Sequence, residues 1–335
     1  MKTAAKILAL VAGVALFGWY LSRADLGEVW KALARLGWMA PVALIPYFCV
    51  YIVDCVGWRF CLVPGVRVPF LALIRIRWAG ESVNNVLPSA YIGGETVKVY
   101  LLRKKGVSGK TGATGAVVSK TAQTVAQLIL IILASVAFLR IAGDRPGLPF
   151  AMLMVICTGA LVLAGLFWVQ RRGIFNSVLA LVSAFRIRPR FVEKYRGRIA
   201  EADGAISGFY REHRPRFYAS TIFYLCGWLM DTLEIYLVAY LLGMPITWPQ
   251  ALAVEGFTGV AKALGMWVPG SLGIQESGIV MLGRLAGLPD TLSVSYALFR
   301  RAREVLFAAA GWLILVAEHT TVKEIKAAGE TTEDA

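Results

Sequence analysis

The chain has 335 residues, of which 58% are hydrophobic and only 17% charged. Soluble globular chains carry about 45–50% apolar and about 25% charged residues, so the balance excludes disorder, a disulfide scaffold and an ordinary cytosolic enzyme, and places the chain in a bilayer. Lys and Arg number 35 against 21 Asp and Glu, a net charge of +14. The basic residues cluster between apolar stretches, where cytoplasmic loops and anionic lipid head groups account for them better than nucleic acid does.

Apolar runs long enough to cross about 30 Å fall at 4–22, 38–63, 110–139, 148–169, 215–241 and 291–318. The first has Lys2 and Lys6 ahead of its core, as a signal peptide would. Ser22-Arg23-Ala24 is a poor cleavage site, so it reads as an uncleaved helix. Two further segments are apolar but broken: 70–102 by Pro88 and Gly93-Gly94, and 248–286 by Pro269, Gly270 and Gly273. The limb after each break is about 13 residues, or about 20 Å of helix, too short to cross. Both read as re-entrant hairpins.

Loop charge sets the orientation. Residues 170–216 hold 11 Arg and Lys against 4 acidic residues, and Arg103, Lys104, Lys105 and Lys110 form a second basic cluster. Basic loops stay in the cytoplasm. Six spans and two hairpins then put both termini there.

The hairpins share a pattern. Pro88, Glu95 and Arg103 in the first match Pro269, Glu276 and Arg284 in the second, at a constant offset of 181. The same offset carries Lys120 onto Arg301. Upstream, Tyr47, Cys49 and Asp54 match Tyr224, Cys226 and Asp231 at an offset of 177. Matches at charged positions are harder to attribute to chance than apolar ones, because such residues are rare inside membranes. The expected fold is an all-α polytopic membrane protein built as an inverted repeat, each half holding three spans and one re-entrant hairpin. The first repeat runs over 1–139 and the second over 140–335. Inverted repeats with broken helices at matching positions are the layout of secondary transporters, with the substrate site at the repeat interface.

Each ionisable group in a span costs roughly 2.5–3.5 kcal/mol on insertion scales, so each needs a partner, a wet cavity or a task. The candidates are Asp54, Glu81, Glu95, Lys98 and Lys120, then Asp231, Glu234, Glu255, Lys262, Glu276, Arg300, Arg301, Arg303 and Glu304. Glu95 and Glu276 each follow a Gly-containing break, with Gly93, Gly94 and Gly273 as the breakers. Two readings stand: a helix-start carboxylate, or a break whose free N–H groups meet an anion while the carboxylate meets a cation. Lys120 and Arg301 lie too deep to snorkel easily; they are either ion-pair partners of Glu95 and Glu276 or phosphate contacts. Asn84 and Asn85, just before Pro88, either cap the broken helix or bond a head group. Arg300 and Glu304, at i and i+4, read as a pair within one helix.

Cys49, Cys55, Cys61, Cys157 and Cys226 lack paired spacing and read as small apolar fillers. His213 and His319 lie at membrane edges. With no HExxH, CxxC or P-loop pattern, neither a metal nor another cofactor is expected.

Glu81-Ser-Val-Asn84-Asn85-Val-Leu-Pro88, then Gly93-Gly94-Glu95-Thr-Val-Lys98 and Pro269-Gly-Ser-Leu-Gly273-Ile-Gln-Glu276, resemble the lysylphosphatidylglycerol synthase transmembrane-region family of flippase-like membrane proteins. The first of these motifs is most similar to the branch associated with hopanoid biosynthesis. The resemblance runs over roughly 5–318. It implies a lipid translocase in the plasma (inner) membrane of a bacterium, with an anionic or aminoacylated phospholipid or a hopanoid as its partner. The alternative is a scaffold or accessory subunit of a lipid-biosynthetic enzyme in that pathway. Bifunctional relatives carry a soluble aminoacyl-transferase domain after the module. Here 17 residues follow the last span, so synthase activity is not expected. Many relatives have Arg where this chain has Lys98, which keeps the charge but not the bidentate fork.

The topology is open to a direct check. A single cysteine at position 196 in a cysteine-free background is expected to resist an impermeant maleimide added to intact cells; labelling there would overturn the cytoplasmic placement of 170–216.

Overall fold

The computed structural model describes residues 25–86, 92–141, 147–172, 196–265 and 268–318, with single positions between 11 and 22. The first expected span, Pro88, both termini and the stretch 173–195 therefore lie wholly or mostly outside the described residues. Those residues form helices, and no strand occurs among them.

The chain enters on α1 (Leu26–Leu36), whose start is capped by the Asp25 carboxylate accepting the Glu28 N–H at 3.0 Å. Val29, Ala32 and Leu36 turn inward while Trp30 is 74% exposed, the division expected of a helix at a membrane boundary. A 3-10 turn (Gly37–Met39) and a short helical turn (Ala40–Ala43) lead into α2 (Ile45–Cys61). Pro41 and Pro46 sit in first turns, where a missing N–H costs nothing.

The first hairpin is α3 (Phe70–Val86) and α4 (Ile92–Lys104), followed by α5 (Gly109–Ile141) and α6 (Leu148–Arg172). Then come α7 (Arg196–Glu212) and α8 (Arg214–Leu241). The second hairpin is α9 (Trp248–Leu264), a 3-10 turn (Pro269–Ser271) and α10 (Ile274–Leu285), and α11 (Asp290–Ala317) completes the described chain. The hairpin limbs hold 17 and 13 residues in the first case and 17 and 12 in the second, so each second limb is about 20 Å or less.

Among the described residues, four stretches are both long and apolar enough to cross a membrane: 26–61, 109–141, 148–166 and 214–241. Helix α6 shows what medium the fold requires, since Phe150, Leu153 and Leu161 are 66, 50 and 73% exposed. Helix α11 is as long as α8, at 28 residues, but carries Arg300, Arg301, Arg303 and Glu304 in its middle.

One expectation is corrected. The stretch 170–216 is not a loop throughout: 196–212 is helix α7, which packs on α5 and α6 through Ile206, Phe209 and Tyr210. Its apolar side chains recur at helical spacing inside a basic segment, and the charge count hid that pattern.

The packing crosses between the two parts of the chain. α2 lies along α8; the first limb of the first hairpin, α3, lies along α11; and the first limb of the second, α9, lies along α5. Hydrocarbon gives helices no hydrophobic reason to associate, so close contact relies on small residues. At Gly311 a Cβ would collide with Ser82, and at Gly227 with the Asp54 carboxylate. Gly311→Ala is therefore expected to lower stability in detergent micelles by about 1–3 kcal/mol through overpacking. Gly165→Ala, where nothing lies within 4 Å, should leave the unfolding temperature unchanged or slightly raised.

Candidate functional site

The ionisable residues converge. Among the described residues, a cavity of about 280 Å³ is lined by side chains of α2, α3, α5, α8, α9 and α11, so both parts of the chain contribute. Five basic side chains (Arg77, Lys120, Lys262, Arg300 and Arg303) and three acidic ones (Asp54, Glu81 and Asp231) reach it. Gln123, Thr124 and Gln127 add neutral polar surface from α5, and Tyr47 and Tyr51 add ring faces from α2.

Each deep arginine has an acidic partner on another helix. Arg77 on α3 pairs with Asp54 on α2, both buried, and its guanidinium lies 5.3 Å from the Tyr51 ring centroid. Arg303 on α11 pairs with Glu234 on α8, lies 3.5 Å from Asp231, and stacks over Tyr47 at 3.5 Å. Arg300 bonds Glu255 on α9 at 2.6 Å and donates to the Tyr296 hydroxyl at 3.1 Å. That hydroxyl in turn donates to Glu255 at 3.3 Å. Ring faces carry negative quadrupole potential, so Tyr47 and Tyr51 share in holding the two guanidiniums.

The second hairpin's break is tied to α11. One oxygen of Glu276 accepts the Gly273 N–H at 2.7 Å and so caps the start of α10, while the other pairs with Arg301. Arg301 also donates to the Gly270 carbonyl at 2.9 Å and meets Glu304 at 3.2 Å. Gly270, Ser271 and Gly273 all have positive φ, the strained turn that lets the carbonyl face inward. Arg301 and Glu276 thus hold the hairpin in place, and neither is among the side chains lining the cavity.

The first hairpin is organised differently. Asn84 accepts the Gly94 N–H at 2.8 Å and anchors the start of α4, and Glu95 pairs with Lys98 at 2.8 Å along that helix. Gly94 and Gly80 approach so closely that a Cβ on either would strike the other limb, which explains the glycine at 94. Glu81 faces the cavity, and Lys120 is exposed to it, 3.1 Å from the Gln123 amide oxygen.

The two breaks meet. Lys262 on α9 donates to Asn85 at the end of α3 at 3.3 Å and to Glu304 at 3.2 Å, and the end of α3 packs against the 3-10 turn of the second hairpin. Pro88 lies outside the described residues. Of the ionisable residues singled out from sequence, Asp54, Glu81, Lys120, Asp231, Lys262, Arg300 and Arg303 line the cavity. Asn84, Gly94, Gly273 and Glu276 build the breaks, and Asn85 joins the two hairpins. Arg77, Gln123 and Gln127 were missed. Arg77 had a signal, since it follows Arg75 inside an apolar run. Gln123 and Gln127 had one too, at i+3 and i+7 from Lys120 on one helix face. No group of three or more His, Cys, Asp and Glu side chains is placed to hold a metal among the described residues.

The buried pairs make a stability prediction. Arg303 and Glu234 are 2 and 0% exposed. Removing one partner leaves an uncompensated charge, at a cost of about 3–5 kcal/mol. Arg303→Gln should therefore lower the unfolding temperature sharply, and Glu234→Gln added to it should recover most of the loss. If the double variant is no more stable than the single one, the pair is not the reason for the cost.

Known proteins resemble this chain over most of its length. Residues 6–311 match the family described as the lysylphosphatidylglycerol synthase TM region. The chain is also similar to a UPF0104 membrane protein of Pyrococcus horikoshii, 27% identical over 317 residues that span 88% of this chain and 92% of that protein. With the match covering the helices, both hairpins and the charged cavity between them, the chain belongs to the lysylphosphatidylglycerol synthase transmembrane-region family of membrane proteins.

Proposed function

We propose that the protein moves a polar-headed lipid between leaflets and that the charged cavity receives the head group. The observation that carries this reading is the sorting of charge around the cavity. The lining holds five bases against three acids, while Glu234 stands behind Arg303, and Glu255 and Glu304 stand behind Arg300. The cavity thus offers forked and point-charge donors to a phosphate. Glu81, Asp54 and Asp231 supply counter-charge for an ammonium. A zwitterionic or aminoacylated phospholipid satisfies both sets, whereas a neutral hopanoid leaves the bases without an anion. In this reading the crossed packing of α3 on α11 and α9 on α5 reflects an inverted repeat, with 170–216 and both termini on the cytoplasmic side.

Reconstituted vesicles test it. The purified chain is expected to accelerate exchange of fluorescent phosphatidylglycerol or lysyl-phosphatidylglycerol between leaflets, with a hopanoid as comparison. Lys120→Gln should slow exchange at least about tenfold, the loss of one hydrogen bond to a charged group being about 1.5–3 kcal/mol. The unfolding temperature should stay unchanged, because Lys120 is exposed to the cavity. A wild-type chain that moves no lipid in the panel, yet co-purifies with a lipid synthase, would favour the scaffold role instead.

A further inference from the structure

A second cavity lies against the first. It is an apolar groove of about 360 Å³ on the outside of the bundle, lined by residues that include Ile45 and Phe48 of α2, Trp78 of α3, and Leu306, Phe307 and Ala310 of α11. Ile45, Phe48 and Leu306 are 54, 44 and 54% exposed, so the groove opens toward the surrounding medium. Only side chains separate it from the charged cavity. Tyr47 and Tyr51 line the charged side, Trp78 and Phe307 line the apolar side, and the four rings pack into one wall. Centroids lie 4.7 Å apart for Tyr47 and Phe307, 4.9 Å for Tyr51 and Trp78, and 5.4 Å for Tyr51 and Phe307.

The backbone around the wall is unevenly fastened. α3 and α11 are locked together: the Trp78 indole N–H donates to the Phe307 carbonyl at 2.8 Å, and Ser82 fills the space over Gly311. α2 and α11, by contrast, scarcely approach each other, and rings fill the gap between them. Ring rotation is fast and local, whereas separating packed helices is slow. The α2–α11 seam is therefore where the wall can open without disturbing the bundle.

We propose that this seam is a lateral portal, that the groove holds a hydrocarbon tail of the transported lipid, and that Tyr47, Tyr51, Trp78 and Phe307 form the gate between tail and head-group sites. The proposal rests on the reading of the charged cavity as a head-group site. Complementarity selects the occupant. The cavity side of the wall carries the Arg77 and Arg303 guanidiniums over the tyrosine rings, and the outer side is wholly apolar. A molecule that satisfies both has an anionic head joined to an alkyl or isoprenoid tail. A soluble anion would leave the groove empty, and a plain hydrocarbon would leave the charged cavity unfilled.

Ala310→Trp fills the groove from α11, and Ile45→Trp fills it from α2. Each is expected to slow exchange of a long-chain phosphatidylglycerol at least about fivefold. Binding of the short-chain dihexanoyl analogue, which needs no groove, should stay unchanged. Phe307→Ala, which removes a gate ring, should speed long-chain exchange. A photoreactive benzoylphenylalanine at Phe48 gives a reading that fills nothing. Capture of a phosphatidylglycerol tail that is lost when Lys120→Gln is added marks a lipid engaged at both ends and supports the portal. Capture indifferent to Lys120→Gln marks ordinary boundary lipid and overturns it. If Lys120→Gln slows exchange while both tryptophan variants move long-chain lipid at the wild-type rate, the head-group reading stands and the portal is wrong. If the wild-type chain moves no lipid, both fail.

Discussion

A charge in hydrocarbon has to be neutralised inside the bundle that carries it, and the middle of α11 places four within five residues. That requirement arranges its neighbours. Arg300 draws Glu255 of α9, Arg303 draws Asp231 and Glu234 of α8, and Arg301 draws Glu276 at the start of α10. Glu304 closes the set with Lys262 and with the Gln275 amide at 3.0 Å. Such pairs add little net stability over well-packed apolar residues. Their geometry does fix which helix lies where, because a shift of one turn along α11 would misplace several partners together.

The same rule separates structure from function at the cavity. Arginines with a carboxylate beside them are held in position at the cavity wall. Lys120 lines the cavity from α5, 3.1 Å from the Gln123 amide oxygen. The correspondence between Lys120 and Arg301 in the sequence therefore relates positions in the chain and not tasks. Arg301 holds a strained turn outside the cavity lining, and Lys120 belongs to that lining.

Much of this was legible from rarity. Asp54, Asp231 and the α11 charges stand out because hydrocarbon excludes them, and the hairpins stand out because proline and glycine interrupt apolar runs too short to cross. Partnership was not legible. Nothing in the local pattern around Arg77 says that Asp54, 23 residues earlier, will meet it, since that depends on how α2 and α3 cross. Helix α7 was hidden for the opposite reason. Its charges dominate the composition, while the three inward side chains that dock it are a minority. Glu276 shows two readings merging, as its two oxygens serve the helix start and the ion pair together.

One contact bears on the mechanics of the last helix. The Phe307 carbonyl receives the Trp78 indole N–H of α3 at 2.8 Å, while the Ser82 hydroxyl, which donates to the Trp78 carbonyl at 2.9 Å, lies 3.4 Å from it. In a regular helix that carbonyl also serves the N–H of Gly311, four residues on. The indole N–H is an extra donor on that carbonyl, beside a residue that lacks a side chain, the kind of place at which helices can bend. The charged half of α11 and its apolar end thus meet at a turn clamped to α3, so a tilt of that end would carry the first limb of the first hairpin with it.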